Sequence, residues 1–314
     1  MLDLFYEKWK LDLTLRNRRY FDAVTDLYST TYGAAPGSDG GLWAHPHGDF
    51  DARDAFAHID RIGFRVPDAV DDALSNAAAG DAHGAKKGPQ TLQRCLAPHL
   101  DCCPSAMHAG GGKKWPRWRP IQCLLSLTDT REAESGGFEA VRGFHREFEA
   151  RFAARSARQQ KPHGGQKRKE RVAAADSGAA ADAQTDAPAL RHACVGDFTS
   201  VRAPELLQRM RHVPVPRGAA VFWDQRIPHA SARRNTSGAA RAVVYGGWLP
   251  RTAMNARFAT EQAKRALSGK QQSDFWLHGE GEPSGAAIDL SGLDQHACHL
   301  LGLADAEHEP AGKR

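Results

Sequence analysis

Three short runs in the C-terminal half set the limits on what this chain can fold into. "HVPVPRGAAVFWD" (212–224), "RIPHASARRN" (226–235) and "RAVVYGGWLP" (241–250) carry β-prone residues and are punctuated by Pro, Gly, Ser and Asn. Such runs read as turn-separated strands. "PIQCLLSLTD" (120–129) reads as a buried strand, and "GGFEAVRGFH" (136–145) alternates polar and apolar residues before a turn. Several short strands of this kind bury their apolar faces only as a sandwich or barrel.

Helices are expected around that core. Residues 2–32 place Leu4, Leu11, Leu15, Phe21, Val24, Leu27 and Tyr28 at helical intervals. "DARDAFAHIDRIG" is expected to be a second helical stretch, and "GDAHGAKKGPQ" (80–90) a basic loop. "EFEARFAARSARQQ" reads as a helix running into a low-complexity insert at 155–188, whose composition cannot build a core and is expected to be disordered. A helix at 252–268 and a loose tail follow. The expectation is mainly β with flanking helices (α+β) in a single domain over 1–314. Within it, 1–90 supplies N-terminal helices and loops, 91–250 the β core, and 251–314 a helix and tail. No internal repeats are visible.

Composition narrows the function classes. The net charge of +5 is concentrated at 155–171 and does not by itself argue for nucleic acid. No apolar run reaches membrane-spanning length, and "MLDLFYEKWKLDLTLRNRRYF" lacks a signal-peptide core, so an intracellular, cytoplasmic protein without membrane contact is expected. Six cysteines without regular spacing are expected to be free thiols.

The chemistry-bearing signal is His-x-Asp/Glu. It occurs five times, at 47/49, 58/60, 99/101, 145/147 and 278/280, where composition alone gives roughly two. Spacing therefore decides nothing and context must. On a strand, positions i and i+2 share a side and can supply two adjacent metal ligands. A non-haem Fe(II) site needs two histidines and one carboxylate on one face. His278/Glu280 lies in a Gly-rich tail, His58/Asp60 in the expected helix, His47/Asp49 in an N-terminal loop, and His145/Glu147 at a strand-to-helix junction. His99/Asp101, in "APHLDCCP", opens the β-rich half and is the best placed. A distant partner exists in His229, just after an apolar run, with Arg241 twelve residues later at the start of another. Arg suits a carboxylate because its planar fork binds one bidentately.

At these residues the chain resembles the phytanoyl-CoA dioxygenase (PhyH)-like family of Fe(II)/2-oxoglutarate-dependent oxygenases. The resemblance rests on "HLDCCP", "RWRPIQCLLSLTD", "SGGFEAVRGFH", "GAAVFWDQRIPHASARRN" and "RAVVYGGWLP", over roughly residues 60–250. It implies a double-stranded β-helix (jelly-roll, cupin-like) core. It implies that His99, Asp101 and His229 hold Fe(II) and that Arg241 binds the far carboxylate of 2-oxoglutarate. Gln122 and Trp223 are further candidates for the pocket wall, Gln122 facing the co-substrate and Trp223 read first as core. The implied reaction consumes 2-oxoglutarate and O2, releases succinate and CO2, and hydroxylates a small-molecule substrate, with ascorbate as a candidate reductant.

Other readings stay open. Oxidation of a nucleobase would use the basic segments 84–87 and 155–171 against phosphate. A cupin-like binding protein would keep the fold without turnover. A thiol site at Cys102 or Cys103 would need His99 as its activating base. Trp43, His45 and His47 read as turn or surface residues, with the pocket as their alternative.

Overall fold

The structure is a computed structural model that describes residues 2–32, 50–80, 96–104, 117–159, 198–272 and 286–303. The mixed α/β fold is built on two antiparallel sheets with helices around them. In chain order the strands are β1 (Ala55–Arg65), β2 (His99–Leu100), β3 (Ile121–Ser126), β4 (Phe138–Ala140), β5 (Thr199–Ser200), β6 (Arg211–His212), β7 (Ala220–Asp224), β8 (His229–Ser231) and β9 (Arg241–Pro250). The first sheet has the order β1-β9-β3-β7 and the second β5-β2-β8-β4-β6. All pairings between these strands are antiparallel.

The strands expected at 120–129, 136–145, 212–224 and 241–250 form where the sequence suggested. The stretch "DARDAFAHIDRIG" does not form a helix. It is β1, the longest strand, and it pairs along its length with β9. The reason is burial on both faces. Ala55, Ala57 and Ile59 pack into the cluster built by the N-terminal helices, and Phe56 packs with Leu249 and Phe258 on the other face. Two-sided burial erases the polar-apolar alternation that marks a strand, and the alanines then imitate a helix. The register slips between Ile59 and Ile62, a bulge that bends the strand beside the cavity described below.

Helices α1 (Lys8–Thr14) and α2 (Arg18–Tyr32) cover the outer face of the first sheet. Tyr20 and Phe21 meet Trp248 of β9 edge-on, and the Tyr28 hydroxyl donates to the Trp248 carbonyl at 2.6 Å. The remaining helices are α3 (Asp68–Gly80), α4 (His145–Gln159), α5 (Pro204–Leu207), α6 (Ala253–Leu267) and α7 (Gln295–Leu300). α6 is fastened by two buried amides. Gln262 accepts from the Ile59 N–H and donates to the Ala57 carbonyl, both at 2.8 Å, and so continues β1 as a strand would. Asn255 accepts from the Trp118 N–H at 2.7 Å and donates to the Trp118 carbonyl at 2.9 Å. This clamp fixes the "RWR" segment just before β3.

The cysteine expectation needs correction. Cys102, Cys123 and Cys298 are free, but Cys103 is disulfide-bonded. Among the described residues no helix is long and apolar enough to cross a membrane. The loop at 81–90 and residues 160–188 of the insert lie outside the described residues, as do Trp43, His45, His47 and the His278/Glu280 pair.

Candidate metal centre

β2 and β8 lie side by side, and their pairing sets His99 directly opposite His229. Asp101 follows two residues after His99, so three side chains more than a hundred positions apart in part meet at one point. Ligand atoms of His99, Asp101 and His229 all lie within 4.8 Å of one another. The contacts are asymmetric: His99 Nε2 is 3.4 Å from Asp101 Oδ1, and His229 Nε2 is 3.5 Å from Oδ2.

Both imidazoles are oriented from behind. His99 Nδ1 lies 2.7 Å from the Ala97 carbonyl and His229 Nδ1 lies 3.0 Å from the Ile227 carbonyl. A carbonyl only accepts, so each Nδ1 carries the proton and each Nε2 turns a lone pair inward. Two lone pairs and a carboxylate thus converge, an arrangement that a cation satisfies. Ligand atoms in adjacent positions on one ion stand about 3 Å apart when each bond is near 2.1 Å, so a modest contraction would close the set. The residues fit a metal ion, and the buried His-Asp-His cluster could bind one.

The electrostatics agree with that protonation. Burial, reinforced by neighbouring His229, lowers His99 to about 4, so its ring is neutral near pH 7. Burial alone would raise Asp101, but His99, His229 and Arg119 outweigh it and hold the carboxyl well below the usual carboxylate range. Arg119 Nη2 is 3.5 Å from Asp101 Oδ2.

The cluster opens on a cavity of about 400 Å³ between the two sheets. Phe198 stacks on His99 with ring centroids 4.8 Å apart, and Trp223 lies 5.1 Å from the His229 ring. Gln122 also lines the cavity and is 1% exposed, yet neither its Oε1 nor its Nε2 has a hydrogen-bond partner among the described residues. Trp223 stands beside it in register on β7, and its indole N–H is likewise unpartnered there. Buried polar atoms left without partners are costly, and both residues that carry these three belong to the cavity wall.

Arg241 does not line the cavity, although the sequence suggested that it should. It is buried at the start of β9, where both terminal guanidinium nitrogens lie 3.4 Å from the Tyr245 hydroxyl, and Tyr245 is a cavity residue. Gly63 makes this approach feasible. A Cβ there would stand 2.8 Å from Tyr245 Cε2, 2.7 Å from Val243 Cγ2 and 3.1 Å from Arg241 Nη1.

Sequence reasoning missed several cavity residues. His58 and Asp60, set aside as helical, lie on β1 and line the same cavity. Arg119 Nη1 is 3.3 Å from both His58 Nδ1 and Asp60 Oδ2. Arg117, two residues earlier, and Arg61 are lining residues as well. The available signal was the i, i+2 spacing of two arginines just ahead of a buried strand, since that spacing sends both to one side. His145 and Glu147 do not join the cluster; Glu147 pairs with Arg209 on the surface at 2.5 Å. Cys102 is buried among Leu100, Val141 and Phe144, so the thiol reading finds no open nucleophile there. The basic segments 84–87 and 160–171 lie outside the described residues.

A model of the Gig2-like family matches residues 118–296, more than half of the chain. The chain belongs to the Gig2-like family. This corrects the resemblance to PhyH-like oxygenases, for which no family match is found. The short motifs behind that resemblance record the order of candidate site residues along two sheets. Solved structures similar to this Gig2-like chain agree. The hypothetical protein JW0805 of Escherichia coli aligns with a TM-score of 0.60 at 15% identity, covering 96% of this chain and 69% of that one. GlcNAc Inducible Gene 2 protein, GIG2 (DUF1479), of Candida albicans aligns at 0.56 and 15%, covering 96% and 65%. A Salmonella typhimurium LT2 protein described as a "Putative Oxidoreductase" aligns at 0.58 and 14%, covering 95% and 67%. At such identities the likeness concerns the fold alone. No curated protein matches the sequence.

Proposed function

We propose that this Gig2-like chain is an Fe(II)- and 2-oxoglutarate-dependent oxygenase that hydroxylates a small molecule, with its two sheets wound as one double-stranded β-helix domain. The convergence of two inward-facing Nε2 atoms and one carboxylate on neighbouring strands carries the reading. Two histidines and a carboxylate on one face are the donor set of non-haem Fe(II) oxygenases. The strand orders support the winding, because β9 lies between β1 and β3 while β8 lies between β2 and β4. The oxidoreductase description of the Salmonella neighbour is of the same reaction class.

Bound iron would supply the oxidising chemistry, with 2-oxoglutarate and O2 consumed and succinate and CO2 released. The chain's own residues do the rest. The Ala97 and Ile227 carbonyls lock the two imidazoles in the ligating tautomer. Arg119 steadies the Asp101 carboxylate through the oxygen that also faces His229. Gln122 offers a donor and an acceptor to the co-substrate, and Tyr245, backed by Arg241, receives its far carboxylate. Phe198 and Trp223 keep water from the histidine pair. Ascorbate would serve as reductant for stalled enzyme.

The test is anaerobic Fe(II) titration with 2-oxoglutarate, followed by succinate measurement in air. One iron per chain and iron-dependent succinate formation, both lost in His99→Ala, are expected. A protein that binds no Fe(II) overturns the proposal.

A further inference from the structure

One row of paired residues crosses the first sheet beside the cavity. His58 on β1 pairs with Gly247 on β9, Gly247 with Gln122 on β3, and Gln122 with Trp223 on β7. Residues directly opposite one another share a face of the sheet, and His58, Gln122 and Trp223 all line the cavity. Neighbouring strands stand about 4.8 Å apart, so His58 and Gln122 are separated by about 10 Å. Gly247 between them has no side chain, and Arg119 packs over it. The row thus offers two polar positions with the Arg119 side chain between them. Gln122 is the one assigned above to the co-substrate, which leaves His58.

The tautomer of His58 is fixed by its neighbour. Its Nδ1 lies 3.3 Å from Arg119 Nη1, and a guanidinium only donates, so Nδ1 is the accepting nitrogen. Asp60 Oδ2 is 3.8 Å from the same Nδ1, too far for a hydrogen bond. Burial first, then Arg119, Arg117 and Lys10, holds the ring well below its usual 6.5, so it is neutral near pH 7. A neutral imidazole with its lone pair on Nδ1 carries its one proton on Nε2. His99 and His229 are the reverse, with the proton on Nδ1 and the lone pair turned inward. Phe258 stacks on His58 with ring centroids 5.6 Å apart and fixes the plane of the ring. Among the described residues nothing accepts from the His58 Nε2–H. It is a donor in the wall of the cavity.

We infer that His58 reads the substrate, its Nε2–H donating to a neutral oxygen acceptor, a carbonyl or ether oxygen, on the molecule to be oxidised. This rests on the proposed oxygenase reading for the metal and co-substrate, and adds the substrate's chemical class. The neighbouring cations are committed within the chain. Arg119 serves Asp60 and Asp101 as well as His58, and Arg117 lies over the Phe258 ring at 5.2 Å from its centroid. An incoming anion would meet two carboxylates behind a shared guanidinium, whereas a neutral acceptor needs only the one donor. The cavity volume of about 400 Å³ is at the small end of ligand cavities, which run roughly from 300 to 1,000 Å³. The molecule is therefore a small one.

The experiment uses three probes of similar shape: acetophenone with a carbonyl, ethylbenzene without one, and benzoate with a charge. Each is titrated, by nitrogen and proton NMR of the labelled histidines, into full-length protein holding Zn(II) and 2-oxoglutarate. Acetophenone is expected to bind about fivefold tighter than either of the others, to leave 2-oxoglutarate bound, and to move the His58 Nε2–H signal. In His58→Leu its advantage over ethylbenzene falls to about twofold or less, and His58→Gln, which keeps a donor, restores part of it. The tautomers are read in the wild type and need no variant to fold: the proton is expected on Nε2 at His58, and on Nδ1 at His99 and His229. A His58 proton on Nδ1 overturns the inference. So does equal affinity for acetophenone and ethylbenzene, binding of neither, a preference for benzoate, or displacement of 2-oxoglutarate by acetophenone. Failure of the oxygenase reading is separate: Zn(II) and 2-oxoglutarate would not bind, while metal-free protein would keep the His58 tautomer and the preference for acetophenone.

Discussion

Two His-x-Asp pairs line the same cavity, and they have opposite fates. His58/Asp60 sits on β1 and His99/Asp101 runs off the end of β2. Opposite His99 the sheet places His229, a second acceptor. Opposite His58 it places Gly247, which leaves room for Arg119 to cross the strand; a Cβ on that glycine would stand 3.2 Å from Arg119 Cδ. The β1 pair thus already holds a cation, the guanidinium at 3.3 Å from both side chains. The β2 pair is completed by another lone pair and calls for a cation from outside. Identical spacing therefore gives a filled pair in one place and a receptive one in the other. What distinguishes them is the residue across the strand.

The largest effect expected from that contrast is on metal affinity. Asp101→Ala should abolish Fe(II) binding, whereas Asp60→Ala should leave it within a few-fold of wild type, read by anaerobic titration of both variants. Loss of binding in Asp60→Ala with retention in Asp101→Ala would reverse the assignment of the two pairs. Next comes stability. Arg119→Met removes the cation from Asp60 and one neighbour from Asp101, and its side chain is largely buried. Removing one partner from such a pair is expected to cost about 2–4 kcal/mol in urea unfolding, the lower end reflecting the partial exposure of Asp60. Metal restores part of that loss at Asp101 and none at Asp60. A variant as stable as wild type would mean that Arg119 is not the cation of the β1 pair.

The receptive pair was legible in the sequence and the filled one was not. His99, Asp101 and His229 stand beside turn-bounded β runs, where i, i+2 spacing carries directional meaning. The segment around His58 is buried on both faces and rich in alanine, so its period imitates a helix. Arg119 was invisible as a partner because its role depends on Gly247, and a glycine opposite a histidine is a fact of register. Arg241 opens β9 as the sequence suggested, but it does not line the cavity, and the Tyr245 hydroxyl beside it depends on packing against Gly63. The disulfide at Cys103 had no spacing signal at all. The strands themselves were readable because turn residues bound them; the order in which they interleave is a property of the whole chain.

The smallest effect separates the two pairs by pH. Burial first, with Arg119 and Arg117 nearby, holds His58 well below its usual 6.5, and burial with His229 lowers His99 to about 4. Below 6.5 the unfolded chain binds protons at both histidines that the folded chain refuses, down to about 4 for His99. Stability of the metal-free protein must therefore fall as pH falls through this window, and the His99 share of the slope ends near 4. The two histidines differ in what metal does to them. A metal ion occupies His99 Nε2 and competes with its proton, so Mn(II) should raise the melting temperature near pH 7 and lose that effect progressively as the solution is acidified. His58 has no metal to lose, so His58→Gln should flatten the pH slope by the same amount with or without Mn(II), while His99→Gln removes both the metal-dependent part and the share that His99 itself contributes. Melting curves of the three proteins from pH 7 to pH 4, with and without Mn(II), read both terms. Should His58→Gln also remove the Mn(II)-dependent part, the β1 pair would be a ligand pair after all, and Arg119 would be its placeholder.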